Sequence, residues 1–297
     1  MKLNFKYIVA ACALACLSSC DNKFETFEVI DTVAPADFDV STVRSEALPG
    51  QIQLTWDAPE GDFAYMQIRY YDPLQKKDMY KLVSKGTTEM LIENTRARFG
   101  AYTFYMQTFN AAHQGGQVKE VNATSGPAEM TYTEKGRTKV NLVASQLSTN
   151  AQEPTEGPIA NLLDGKSNTF FHTRWSSPQV PLPHYIQINF NEEHENFAVY
   201  YQNRTDNTWT TSGRPTVVEL QISTDAQNWE TVEALSGLPT AHSTTYTTDF
   251  IMSGKKYKHF RFLVTGTSGS TSYFNIAEFM FYDVSVEIYD PETVPLD

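Results

Sequence analysis

Asn161-Leu-Leu-Asp-Gly-Lys-Ser-Asn-Thr-Phe-Phe-His-Thr-Arg-Trp-Ser-Ser-Pro178 is the stretch whose reading decides the fold. Its first half reads as an Asp164-Gly165 turn, in which the Asp side chain caps its own loop. Its second half sets the aromatic rings of Phe171, His172 and Trp175 within five positions. Such side chains fill a core when buried and grip a ring-shaped ligand when exposed. Outward from it lie three further strings in order: Pro183–Phe190, which holds the alternating run Tyr185–Phe190; Pro215–Trp229, which holds the run Val217–Ser223 and ends in Ser223-Thr-Asp-Ala-Gln-Asn-Trp229; and Asn275–Tyr282, which holds the run Ala277–Tyr282.

The rest of the chain has the same texture. Short alternating runs, bounded by Gly, Pro, Asn and Asp, fall at Gln51–Trp56, Tyr65–Tyr71, Met79–Val83, Glu89–Ile92, Ala101–Phe109, Tyr185–Phe190, Val217–Ser223, His259–Val264 and Ala277–Tyr282. No long helical period appears after Cys20, and no fixed-period repeat suggests a propeller or solenoid. The fold class read from this pattern is all-β. The 297 residues suggest two domains at about 150 residues each, and the polar stretch 122–140, with Gly126-Pro127 and Gly136, divides the runs into two sets.

Lys plus Arg number 23 and Asp plus Glu 35, a net charge of −12. That balance offers no counterion-release term, so nucleic acid is not expected as a partner. The three cysteines, Cys12, Cys16 and Cys20, all precede residue 21, which leaves no disulfide framework, zinc site or thiol nucleophile for the domains. Lys2 and Lys6 followed by the apolar run Tyr7–Leu17 form a signal segment, too short for the roughly 20 residues that span a bilayer. Leu17-Ser18-Ser19-Cys20 resembles a bacterial lipobox, which implies lipidation at Cys20 and a mature chain beginning there. Scattered acids (Asp21, Glu25, Glu28) weakly resemble the export tags of surface lipoproteins. The expectation is an outer-membrane lipoprotein at the cell surface, touching membrane only through its anchor. The expected divisions are 1–19 signal peptide, 20–35 tether, 36–134 first domain, 137–284 second domain and 285–297 a C-terminal tail.

The first domain resembles fibronectin type III over roughly residues 36–127. Gln51–Trp56 puts Ile52, Leu54 and Trp56 on one face, Pro59-Glu60-Gly61 turns the chain, and Ala101–Ala112 looks like the strand that carries the family's core tyrosine. Trp56 is expected in the core, and the domain as a spacer or interaction module.

The four strings of the second domain resemble the coagulation factor 5/8 type C (discoidin) family and, within it, the family-32 carbohydrate-binding modules. The resemblance implies a β-sandwich jelly roll with Phe171 and Trp229 in its core. It implies a structural calcium ion held by the Asp164 and Glu278 carboxylates, the Thr169 hydroxyl and the carbonyls of Asn161, Lys166 and Ala277, a set of hard oxygens suited to that ion. The alternative is that Asp164 only caps its turn. It further implies a sugar site at the loop edge built from His172, Trp175, Arg204, Asn207 and Glu156, with Glu153 as a second candidate for the carboxylate and Trp209 as a second platform. His172 and Trp175 each have a bland alternative, as a buried satisfied histidine and a core indole. The chemistry is coherent: an indole stacks on the C–H face of a sugar while planar groups bond adjacent hydroxyls. The functional expectation is a non-catalytic glycan-binding lipoprotein, favouring galactose-type sugars and working beside outer-membrane glycan-uptake proteins. A protein-binding adhesin is the alternative. No H-E-x-x-H, G-x-S-x-G or P-loop string occurs, so an enzyme is not expected.

Overall fold

The computed structural model describes residues 33–205 and 211–295. The signal segment, Cys20, most of the tether, Asn207 and Trp209 lie outside the described residues. The chain divides into two compact units, 1–130 with 290–297, and 131–289.

The first unit has two antiparallel sheets. β1 (Arg44–Leu48), β2 (Gln51–Thr55) and β5 (Glu89–Ile92) form one, in the order β1-β2-β5. β3 (Tyr65–Asp72), β4 (Lys77–Ser84), β6 (Ala101–Phe109) and β7 (Lys119–Thr124) form the other, in the order β4-β3-β6-β7. Alternation does the work: Ile52, Leu54, Met66, Ile68, Phe104 and Met106 all turn inward, and Trp56 is buried among them as expected. The Tyr102 hydroxyl accepts from the Arg96 N–H at 2.9 Å and donates to the Arg96 carbonyl at 3.3 Å. That bond ties the start of β6 to the chain six residues earlier.

This unit is completed from the far end of the chain. Glu292 Oε1 accepts from the Ala97 and Ala128 N–H groups at 3.2 and 2.7 Å, and Oε2 from Arg98 N–H at 2.8 Å. Burial pushes its carboxyl up, but these donors outweigh it and hold it below the usual carboxylate range. Arg98 in turn donates to the carbonyls of Glu292 and Val294. Glu292→Ala is expected to strand three backbone donors at a cost of about 1–3 kcal/mol. Thermal unfolding should show the first unit melting several degrees lower, and an unchanged midpoint would contradict this.

The second unit is also a sandwich. One sheet holds β9 (Leu147–Ser148), β11 (His184–His194), β13 (Pro215–Ser223), β14 (Glu230–Ser236) and β16 (Tyr257–Thr267), ordered β14-β13-β16-β11-β9. The other holds β8 (Thr131–Lys139), β12 (Phe197–Gln202), β15 (Thr245–Thr247) and β18 (Glu278–Tyr289), ordered β15-β12-β18-β8. A short pair, β10 (Phe171–His172) with β17 (Asn275–Ile276), closes one end. The core is strongly aromatic: Phe197 stacks on Phe281 at 5.3 Å between centroids, and Phe260 meets Phe281 edge-on at 5.1 Å. Phe171 is fully buried, as expected.

Three sequence expectations change here. The polar stretch 122–140 contains β8, which pairs along β18 from Tyr282↔Lys139 to Tyr289↔Thr131. Its side chains are mostly exposed, so no apolar period betrays it. Residues 285–289, placed in the tail, continue β18, and Glu292 then anchors the chain to the first unit. Trp229 is not in the core: it is half-buried, with the Arg261 guanidinium 3.8 Å from its ring and Tyr185 on the same cation at 4.1 Å. The aliphatic stem and flat head of Arg261 supply the apolar cover that the sequence pattern attributed to the interior.

Candidate functional site

The pair β10–β17 sets His172 at the loop end of the second unit. The residue is 4% exposed, its ring beside Tyr273 at 5.1 Å and edge-on to Phe170 at 6.2 Å. Nδ1 lies 2.6 Å from the Thr173 carbonyl, which can only accept, so Nδ1 carries the hydrogen. Burial lowers the ring's pKa, outweighing the bond to Thr173 and the nearby Glu156. His172 is therefore neutral, and Nε2 presents a lone pair 3.5 Å from the Asn275 amide.

Trp175 follows three residues later but leaves the strand. The residue is 43% exposed, which puts it on the surface. The indole N–H donates to Glu156 Oε1 at 2.8 Å, so the exposed ring is fixed by its edge. Glu156 is itself exposed.

Glu153, the second candidate for the sugar carboxylate, has a different role. It is 2% exposed and accepts from the backbone N–H of Thr155, Trp175 and Ser176 at 3.2, 3.2 and 3.1 Å, and from the Thr155 and Ser176 hydroxyls at 2.8 and 3.1 Å. Burial pushes its carboxyl up, yet these donors prevail and bring it down to about 2. Its oxygens are committed, so it fastens the loop of Trp175 to the loop of Glu156.

Arg204 lies with its guanidinium 3.3 Å from the centre of the Phe170 ring. Phe170 thus connects Arg204 to His172. The buried Arg214 donates to the Arg204 carbonyl at 3.3 Å and steadies that turn from beneath. Of the expected sugar residues, the structure therefore brings His172, Arg204, Trp175 and Glu156 to one loop cluster. Sequence reasoning missed Phe170, Tyr273 and Asn275. Phe170 was within reach: if Phe171 faces the core, period-two alternation puts Phe170 and His172 together on the other side.

Beside this cluster, Asp164 ends the 3-10 turn Ile159–Leu163. Its Oδ1 accepts from Lys166 N–H at 2.8 Å, and Thr169 Oγ lies 2.9 and 2.8 Å from the two carboxylate oxygens and 2.8 Å from the Lys166 carbonyl. One hydroxyl has one proton for three acceptors. Desolvation works against ionised Asp164, but the Lys166 N–H, the Thr169 hydroxyl and the Lys166 charge keep its pKa low. Glu278 faces it, 6% exposed; burial first and the Asp164 carboxylate second push its pKa up. Its Oε1 is buried without a hydrogen-bond partner. Crowded acceptors, paired carboxylates and an orphaned oxygen fit a hard divalent cation. Asn161 sits in the same 3-10 turn, its amide donating to the Phe170 carbonyl at 2.9 Å, and Ala277 joins β17 to β18. Among the described residues no three His, Cys, Asp or Glu side chains gather, so a nitrogen- or sulfur-rich metal site has no ligand set there.

The turn and the loop cluster lie in one sandwich, and the family model spans both and ends at the start of β18. Residues 144–279 match the F5/8 type C domain. The solved structures similar to this chain include a family-32 module from Clostridium perfringens in complex with GalNAc-β-1,3-galactose, at 22% identity over 46% of this chain and 92% of that one, with a TM-score of 0.39. The family-32 module of C. perfringens NanJ in complex with galactose matches at 19% identity over 50% of this chain and 99% of that one, TM-score 0.39. A SusE-like protein, BT2857, matches at 10% identity over 82% of this chain and 97% of its own, TM-score 0.39. Asp164, His172, Trp175 and Arg204 all lie inside the matched span, and Glu278 lies one residue before its end.

Proposed function

We propose that the protein is a non-catalytic glycan-binding lipoprotein of the cell surface, accessory to polysaccharide uptake, binding sugar at the loop edge of its F5/8 type C domain. The observation that carries this is Trp175: an exposed indole fixed at its edge by Glu156, on a loop fastened by Glu153. A fixed aromatic face loses little entropy when a pyranose stacks on it, and Glu156 and Arg204 supply planar partners for hydroxyls. Single-site binding of this kind has a Kd of about 10⁻⁴–10⁻³ M, or about 4–5.5 kcal/mol, and a lipid anchor at Cys20 offsets that weakness by presenting many copies.

No catalytic step is assigned. Glycosidic cleavage uses two carboxyls about 5–10 Å apart, one of them a ready acid. Glu153 is held near 2 with its oxygens committed. The first unit, with three strands on four and the Tyr102 bond to its upstream backbone, supports a fibronectin type III-like spacer. The second reading, a protein-binding adhesin, draws on Tyr71, Tyr80 and Leu82, exposed on adjoining strands of that unit. A glycan array probed with the purified chain separates the two: binding to galactose-type glycans supports the lectin, and a blank array with folded protein overturns it.

We assign a structural calcium ion to Asp164, Glu278, Thr169 and the Lys166 carbonyl, with the Asn161 and Ala277 carbonyls completing the set. Bound, it neutralises the facing carboxylates and clamps the Asp-Gly turn to β18. Calcium at about one hundred times its Kd adds about 2.7 kcal/mol. Scanning calorimetry should show the midpoint rising by several degrees with calcium, reversed by EDTA and absent in Glu278→Gln. An unshifted midpoint removes the assignment.

A further inference from the structure

Arg204 rests on an aromatic pedestal. Its guanidinium carbon lies 3.3 Å from the centroid of the Phe170 ring. That distance is reached only over the face, because in plane the C–H edge of the ring fills the same radius. Cation and ring quadrupole attract in this arrangement. The segment is tied elsewhere as well: Arg214 donates to the Arg204 carbonyl at 3.3 Å, and the Thr205 hydroxyl donates to the Ser167 carbonyl.

Phe170 is itself confined. The side chain of Phe171 is fully buried, and alternation turns Phe170 and His172 to the other side. The Asn161 amide donates to the Phe170 carbonyl at 2.9 Å, and the ring meets the His172 ring edge-on at 6.2 Å. Gly157 passes so close that a Cβ there would stand 3.2 Å from Phe170 Cδ2. Yet Phe170 is only half-buried and belongs to neither core cluster, so its ring serves Arg204 rather than the sandwich interior.

The consequence is directional. A guanidinium carries all its N–H donors in one plane. A mobile arginine turns that plane toward whichever hydroxyls arrive, and treats epimeric sugars alike. A plane fixed before binding pairs only with hydroxyls in matching directions, and the wrong epimer leaves a polar group unpaired. Selectivity is a difference of affinities, and a fixed fork creates it by penalising the wrong partner.

We infer that Phe170 determines the specificity of the loop edge: acting through Arg204 as a positioning residue, it makes the site distinguish sugars that differ in the direction of one hydroxyl. The inference rests on the glycan-binding reading of Trp175 and Arg204. Its test is NMR titration of the whole purified chain with methyl β-galactoside and methyl β-glucoside, epimers at a single carbon. The wild type should bind one of them about ten-fold more tightly than the other. Phe170→Leu, which keeps apolar bulk without a ring face, should bring the two affinities within about three-fold at an unchanged melting midpoint. Phe170→Tyr keeps the face and should restore the wild-type ratio. Phe170→Met is the second faceless variant should leucine disturb folding. A ratio that persists in the folded Leu or Met variant overturns the inference alone. So does an equal fall in both affinities, the mark of a merely structural loss, and so does a wild type that binds both glycosides alike. Binding of neither glycoside by the wild type overturns the galactose-type reading and this inference together.

Discussion

Trp175→Ala is expected to abolish measurable glycan binding while leaving the fold intact. A sugar stacked on an indole removes apolar area from water on both partners, and truncating such an aromatic anchor costs about 2 kcal/mol or more, some thirty-fold in affinity. From a starting Kd of about 10⁻⁴–10⁻³ M that moves binding beyond the range of titration. Trp175 is 43% exposed and belongs to no core cluster, so the unfolding midpoint should hold within about 2 °C. Trp229→Ala is the matched control. That indole packs on Arg261 and should lower stability without touching affinity. Glycan binding retained in Trp175→Ala would remove the platform from the site.

The second large effect is expected from Glu153, although it touches no ligand. Glu153→Ala leaves the Thr155, Trp175 and Ser176 N–H groups and two hydroxyls without their acceptor. Stranded buried donors of this kind cost about 2–4 kcal/mol. The cost falls on the loops that bring Trp175 to Glu156, so glycan affinity and thermal stability should fall together. Glu153→Gln keeps one acceptor oxygen but turns an amide toward donors, and should lie between. The pH dependence follows from its pKa of about 2 in the folded chain against about 4.3 unfolded. A carboxyl lowered on folding contributes fully above its unfolded pKa. The wild type should therefore lose stability as pH falls from roughly 4.5 toward 2, and Glu153→Ala should lose less over the same window. Parallel curves for the two proteins would show that Glu153 does not carry this load.

Which of these features the sequence displayed depended on where the chemistry resides. β6 was expected at Ala101–Phe109 and is found there, because Tyr102, Phe104 and Met106 alternate against a solid core. β8 and β14 were invisible, since both are strands whose side chains are mostly exposed, and β8 in addition takes its partner, β18, from far along the chain. At the site, His172 and Trp175 could be named, but not distinguished as buried acceptor and exposed platform, because that depends on β17 and on the Glu153 loop. A carboxylate at position 153 is plain in the sequence. Five donors converging on it are a property of two loops, and only the fold assembles them.

The Glu292 clasp has a consequence for how the chain is made. A polypeptide is synthesised from its N-terminus, and early domains commonly fold before later ones have emerged. Here the acceptor for Ala97, Arg98 and Ala128 arrives about 160 residues after Ala128 itself, once all of β8 to β18 has been made. The unit begun first is thus finished last. A ribosome releasing this chain holds an incomplete first sandwich, its Ala97, Arg98 and Ala128 amides without that acceptor, until Glu292 has emerged.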